Sequence, residues 1–145
     1  MQLNKFTDYA LRILMYIAQP RKTPYTIAEI AQALQVSQNH LVKIVHFMGK
    51  QNLLITTRGK GGGIQLNPAA QQLKLGQIVR TLQGETAIVE CNTPPCVFRG
   101  QCGLKGILDQ ALEQFYIYLD QYTLSDVLAP SSPPNSPLLI NLVNL

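Results

Sequence analysis

Apolar residues recur along this chain at helical spacing in a series of short stretches, separated by turn signals. In DYALRILMYIAQ, Leu11, Leu14, Ile17 and Ala18 fall on one stripe. Thr7 just before it reads as the helix cap, with Asp8 in the first turn. QPRKTPY, with two prolines, ends that helix. TIAEIAQAL follows, with Ile27, Ile30, Ala31 and Leu34 on its inner face and Thr26 and Glu29 spaced as a capping box. After the very short turn Gln35-Val36, Ser37 caps a further helix, SQNHLVKIVHFMGKQNLL, whose Leu41, Ile44, Val45 and Met48 point inward. Two helices joined by so tight a turn, the second longer and polar at its start, predict a helix-turn-helix.

The next segment, LLITTRGKGGGIQL, has two short β-prone runs around RGKGGG and predicts a hairpin with a flexible basic tip. A hairpin directly after a recognition helix is a wing. Asn67-Pro68 punctuates the chain, and LKLGQIVRTLQG predicts another helix ended by Gly84. From about Leu104 to Tyr122 a long amphipathic helix carries Leu104, Ile107, Leu108, Ala111, Leu112, Phe115 and Leu119 at helical spacing. The predicted fold is mainly α with a small β wing. A winged helix-turn-helix DNA-binding domain spans 1–83, a cysteine-loop region 84–102, a dimerisation helix 103–128 and a flexible tail 129–145. The dimer is expected because an apolar stripe outside a small winged domain needs a partner surface, and DNA readers of this kind gain affinity by pairing half-sites of an inverted repeat. The tail begins APSSPPNSP and ends in the apolar LLINLVNL, for which the pattern supplies no role.

Charge sharpens this division. Residues 1–83 hold ten Lys/Arg against Asp8 and Glu29, a net +8, whereas residues 84–145 hold Arg99 and Lys105 against six acids, a net −4. A basic N-terminal part joined to an acidic C-terminal part predicts a polyanion-binding module followed by something else. No apolar run is long enough to span a bilayer, and the N-terminus MQLNKFTDYALR lacks a signal-peptide core, so a cytoplasmic protein with no membrane partner is expected.

Double-stranded DNA is the expected polyanion. Ser37, Gln38, Asn39, His40 and Lys43 occupy the exposed start of the recognition helix; Gln and Asn pair bidentately with adenine, and Lys reaches guanine or phosphate. Arg58 and Lys60 on the wing suit phosphate or minor-groove contact, and Gly61 and Gly62 let the backbone approach phosphates. The same cluster also reads as a solvated helix end, and His40 and His46 as metal ligands, although polar contact and a place on the helix face explain them more simply.

All three cysteines lie in CNTPPCVFRGQC, as Cys91-x4-Cys96-x5-Cys102. Structural zinc sites pair cysteines two to four residues apart and add a second, distant pair, which this chain lacks. Three soft thiolates at these gaps can wrap a multi-iron cluster from one side. Arg99 and Lys105 are cationic neighbours, and Cys102 stands at the start of the long helix, where the helix dipole favours an anion. Zinc binding and a direct thiol switch remain the alternatives. A thiol enzyme is a third reading but not the expectation, because no His, Asn or Asp constellation is recognisable around a nucleophile and the basic wing would go unexplained.

MQLNKFTDYALRILMYIA, SQNHLVKIV, RGKGGGIQL and the triple-cysteine loop together resemble the iron–sulfur winged-helix repressor family over residues 1–128. NHLVKI, RGKGGGI and the loop opening VEC, with no histidine shortly after Cys102, look most like its nitric-oxide-sensing branch rather than the branch that senses iron–sulfur status. The resemblance implies an iron–sulfur cluster, of the 4Fe-4S type with 2Fe-2S as the alternative, on Cys91, Cys96 and Cys102. It implies a fourth, harder ligand, Asp8, from the other subunit, nitric oxide as the signal, and a homodimeric repressor that leaves its operator when the cluster is nitrosylated or lost. Asp8 also stands four residues before Arg12, so an ordinary helix ion pair explains it equally well, and Arg12 would couple the state of the cluster to the DNA reader.

Overall fold

The computed structural model describes residues 2–84 and 87–128. The tail expected to be flexible, 129–145, lies outside them. Helix α1 spans Lys5–Ile17 and is capped by Asn4, whose side chain accepts from the Thr7 N–H at 2.7 Å. Thr7 is therefore not the cap. It is fully buried within α1, because its small β-branched side chain fits the core and leaves Asn4 as the cap-competent residue at the boundary. The buried face of α1 is accordingly Ala10, Ile13, Leu14 and Ile17, while Leu11 and Ala18 are only half-buried.

Helix α2 (Ile27–Leu34) opens with the expected capping box, the Thr26 hydroxyl accepting from the Glu29 N–H and the Glu29 carboxylate accepting from the Thr26 N–H. Gln35 adopts a left-handed conformation (φ 54°) and turns the chain into α3 (Gln38–Lys50), capped by Ser37. Leu41, Ile44, Val45 and Met48 are its buried face, as the periodicity requires. Strands β1 (Leu54–Thr57) and β2 (Gly63–Leu66) pair antiparallel, with Leu54 opposite Leu66 and Thr57 opposite Gly63. A bridge between Tyr25 and Ile64, closed by backbone hydrogen bonds of 2.9 and 2.7 Å, ties this wing to the connection before α2.

A short 3-10 turn (Pro68–Gln72) leads to α4 (Leu75–Gln83), whose Ile78, Val79 and Leu82 are buried. Helix α5 runs from Gly103 to Leu119, three residues short of the expected end at Tyr122. Long-range pairing stops it: the Leu75 N–H donates to Tyr122 O (2.9 Å) and the Leu124 N–H to Leu73 O (3.1 Å), which bends the chain into α6 (Leu124–Leu128) and buries Leu124. Helix α5 packs on α4. Arg80 makes two hydrogen bonds to Glu113 (3.0 and 2.8 Å) and stacks over Tyr116 at 4.1 Å, and the Asp120 carboxylate accepts from the Gln77 N–H (3.0 Å) at the open start of α4. Gly76 makes that approach possible, since a Cβ there would lie 2.5 Å from Tyr116 O and 2.4 Å from the Asp120 carboxylate. The expected stripe on α5 is divided. Leu108, Leu112, Phe115 and Leu119 are half-buried, whereas Leu104 and Ile107 are 60% and 65% exposed. No described helix is long and apolar enough to cross a membrane.

Candidate nucleic-acid interface and cysteine cavity

The tight α2–α3 turn lifts the start of α3 clear of the core. Ser37, Gln38, Asn39, His40 and Lys43 are all exposed there, and the Ser37 hydroxyl accepts from the His40 N–H at 3.3 Å. The His40 ring is not free of the protein: it meets the Tyr9 ring edge-on, with centroids 5.8 Å apart. The Arg12 guanidinium lies over the Tyr9 ring, 6.0 Å from its centroid, and is held by Asp8 through Nε–Oδ1 and Nη2–Oδ2 contacts of 3.0 Å. Asp8 raises the Arg12 pKa, through the hydrogen bond first and its charge second. Asp8, Arg12, Tyr9 and His40 thus form one contiguous run from α1 to the start of α3. The α1 sequence shows the Asp8–Arg12 spacing, but Tyr9 as the intermediary depends on how α1 crosses α3.

Arg58, Lys60 and Gly61 lie exposed at the wing tip. The Gly62 N–H donates to Gly59 O at 3.0 Å, so it serves the turn rather than an incoming phosphate. A side chain at Gly62 would put its Cβ 2.2 Å from Thr57 O, and the tip could not close.

The three thiols are free and half-buried. They line one open cavity of about 830 Å³ together with Glu90, Arg99, Lys105 and Asp109. The loop between them is a succession of turns, held by the Cys96 N–H to Cys91 O, the Arg99 N–H to Cys96 O and the Gln101 N–H to Phe98 O, each 3.1 Å. The Glu90 carboxylate secures its entry by accepting from the Asn92 (2.6 Å) and Thr93 (3.3 Å) N–H groups. Cys102 occupies the cap position of α5 and makes no side-chain cap bond. The Lys105 ammonium is held charged by its hydrogen bond to Asp109, then by the charge of Asp109, with a smaller contribution from Cys91. Among the described residues no group of three or more His, Cys, Asp or Glu closes tightly enough to hold a single metal ion. Asp8 does not line this cavity within the chain, and His46 lies on the exposed side of α3.

A helix-turn-helix whose second helix is exposed at its start, with a basic hairpin beside it, is the architecture of a winged-helix DNA-binding transcriptional regulator. The model of the Rrf2 family, described as an iron-dependent transcriptional regulator, matches residues 3–130, and the chain belongs to that family. It is 38% identical over 132 residues to the HTH-type transcriptional regulator NsrR of Bacillus subtilis (strain 168), covering 88% of this chain and 90% of that protein. Its identity to the NsrR of Oceanobacillus iheyensis is 39% over 132 residues, with the same coverage of 88% and 90%. The crystal structure of a transcriptional regulator from Listeria innocua superposes with a TM-score of 0.68 at 25% identity, covering 94% of this chain and 93% of that one.

Proposed function

We propose that the chain is a homodimeric repressor that holds an iron–sulfur cluster on Cys91, Cys96 and Cys102 and leaves operator DNA when nitric oxide attacks that cluster. The observation that carries the reading is the shared cavity: all three cysteines line it, and its size suits a group of several atoms. A structural zinc ion usually takes two pairs of Cys or His ligands, whereas this cavity is lined by three cysteines and no histidine. Three soft sulfurs and one open side match a cluster with one iron left for another donor. We assign that donor to Asp8 of a second copy, in keeping with the likeness to NsrR. When bound, such a cluster supplies iron that takes up nitric oxide.

The rest follows from the chain's own residues. Arg99, Lys105 and the start of α5 offset the negative charge of three thiolates. The cysteine loop is held by a few turn hydrogen bonds, so it loses its organising centre when the thiolates are freed. It continues directly into α5, whose exposed Leu104 and Ile107 we take as the dimer contact. From α5 the contacts run through Arg80 and Asp120 to α4. The Asn4 N–H, donating to Gln83 Oε1 at 3.1 Å, then joins α4 to the cap of α1. Asp8, when it leaves Arg12 to bind iron, frees the guanidinium beside Tyr9 and thereby changes the support under His40. A bias of a few kcal/mol between two arrangements is enough for such a switch.

The test is anaerobic purification with a visible spectrum, iron and sulfide analysis, and a gel-shift titration with operator DNA. Brown protein whose DNA binding is lost with stoichiometric nitric oxide is expected. Colourless protein with bound zinc, or colourless protein whose binding responds to thiol oxidation, would replace the cluster with one of the two alternatives. Asp8→Ala should keep iron on the thiolates but alter the spectrum; an unchanged spectrum removes Asp8 from the ligand set. A monomeric mass at micromolar concentration in both forms would rule out the dimer.

A further inference from the structure

The solvent face of α3 contains a residue that neither the core nor the polar reading explains. Leu41, Ile44, Val45 and Met48 fill the buried side. Opposite them, Asn39, Val42, Lys43, His46 and Lys50 recur at helical spacing, and all are exposed. In the middle of this polar and cationic stripe Val42 is 50% exposed. Helix α3 carries Lys43 and Lys50 and no acid along its whole length, so the surface around Val42 complements a polyanion. A protein partner or a hydrocarbon surface would be met by an apolar patch, but the exposed helical neighbours of Val42 are two amides (Gln38 and Asn39), a lysine (Lys43) and an imidazole (His46).

Resting on the reading of α3 as the recognition helix, we infer that Val42 reads a thymine by packing its methyl groups against the thymine 5-methyl in the major groove. Of the four bases only thymine presents an apolar group at the major-groove edge, and a side chain without donor or acceptor discriminates there by contact alone. Asn39 lies one turn before Val42 and Lys43 lies beside it, so the thymine would adjoin the base pair that Asn39 contacts. The β-branched side chain suits this task, since its rotamer is largely fixed in a helix and little freedom is lost on contact. The arrangement also gives Val42 no part in the hydrogen bonds that position the helix, so its effect falls on specificity rather than on overall affinity.

The probe is the duplex that the full-length protein enriches from a randomised pool, compared with copies in which each thymine in turn is replaced by deoxyuridine. That change removes one methyl group and nothing else. At one position per half-site the wild-type protein should bind the deoxyuridine duplex about fourfold more weakly, the effect of about one buried methylene-sized group. Val42→Ala should bind thymine and deoxyuridine duplexes alike at that position, keep its response at other thymines, and show an unchanged salt slope. Alanine is a better helix former than valine, so a folding defect is not expected, and a circular dichroism spectrum checks this. Val42→Thr, which keeps one methyl, should retain part of the discrimination. If deoxyuridine is tolerated everywhere, or Val42→Ala discriminates as the wild type does, the assignment is overturned while the DNA-reading proposal stands. If no duplex is enriched at all, both fall.

Discussion

Gly76→Ala tests what holds α5 on α4. The new Cβ would lie 2.5 Å from the backbone oxygen of Tyr116 and 2.4 Å from the Asp120 carboxylate, so α5 must retreat from α4. Overfilling a tight contact costs about 1–3 kcal/mol. Drawing Asp120 away from the Gln77 N–H removes a cap, at about 1 kcal/mol more. Against these stands a gain of at most about 1 kcal/mol in helix propensity. The net loss of about 1–3 kcal/mol corresponds to a fall of about 3–10 °C in melting temperature for a chain of this size. Thermal denaturation by circular dichroism, at one fixed protein concentration because any self-association shifts the midpoint, is the assay. Asp120→Ala alone should cost about 1 kcal/mol. In the double variant the carboxylate clash is already gone, so its cost should fall short of the sum by at least about 0.5 kcal/mol. A melting temperature for Gly76→Ala at or above wild type, or strict additivity, would refute the view that this close approach seats α5.

Lys60→Ala at the wing tip should weaken binding to all duplexes and flatten the salt dependence by about one phosphate contact, whereas Asn39→Ala should mainly relax sequence preference; equal losses on specific and random DNA for both would count against the division of labour. Thr7 Oγ1 is buried with no hydrogen-bond partner among the described residues, so Thr7→Val, nearly the same shape, should stabilise the protein by about 1 kcal/mol in a urea titration; a clear loss of stability would mean the hydroxyl is satisfied in solution. The carboxyls of Glu29 and Glu113 are held below their ordinary value of 4.5 by hydrogen bonds from Arg21 and Arg80, and that of Asp126 below 3.8 by the Thr123 N–H and hydroxyl. Carboxyls depressed on folding stabilise above their ordinary values, so stability should decline as pH falls from about 4.5. Glu29→Gln should make that decline shallower, and a denaturation series over this range that is unchanged in slope would contradict it.

Features set by residues close together in the chain are legible in the sequence alone. The capping box of Thr26 and Glu29, the cap at Ser37, the inward face of α3 and the hairpin around RGKGGG each depend on groups within a few positions of one another. Hydrogen-bond reach and helical periodicity settle such features locally. The same holds for the gathering of three cysteines in one loop ahead of α5.

Where two local solutions competed, distant contacts chose between them. Asn4 and Thr7 can both cap a helix, and Thr7 lost because burial against the core was open to it and not to the larger, more polar Asn4. The apolar spacing of α5 continues past Leu119, yet the helix ends there because backbone groups of residues 73 and 75 pair with those of 122 and 124. Tyr9 as the bridge from Arg12 to His40, the docking of the wing on Tyr25, and the convergence of Lys105 with the three thiols on one cavity are likewise products of packing. Periodicity tells which face of an element is apolar. It carries no information about which partner that face meets, because hydrophobic burial is non-directional and the choice among partners is made only when the whole chain is assembled.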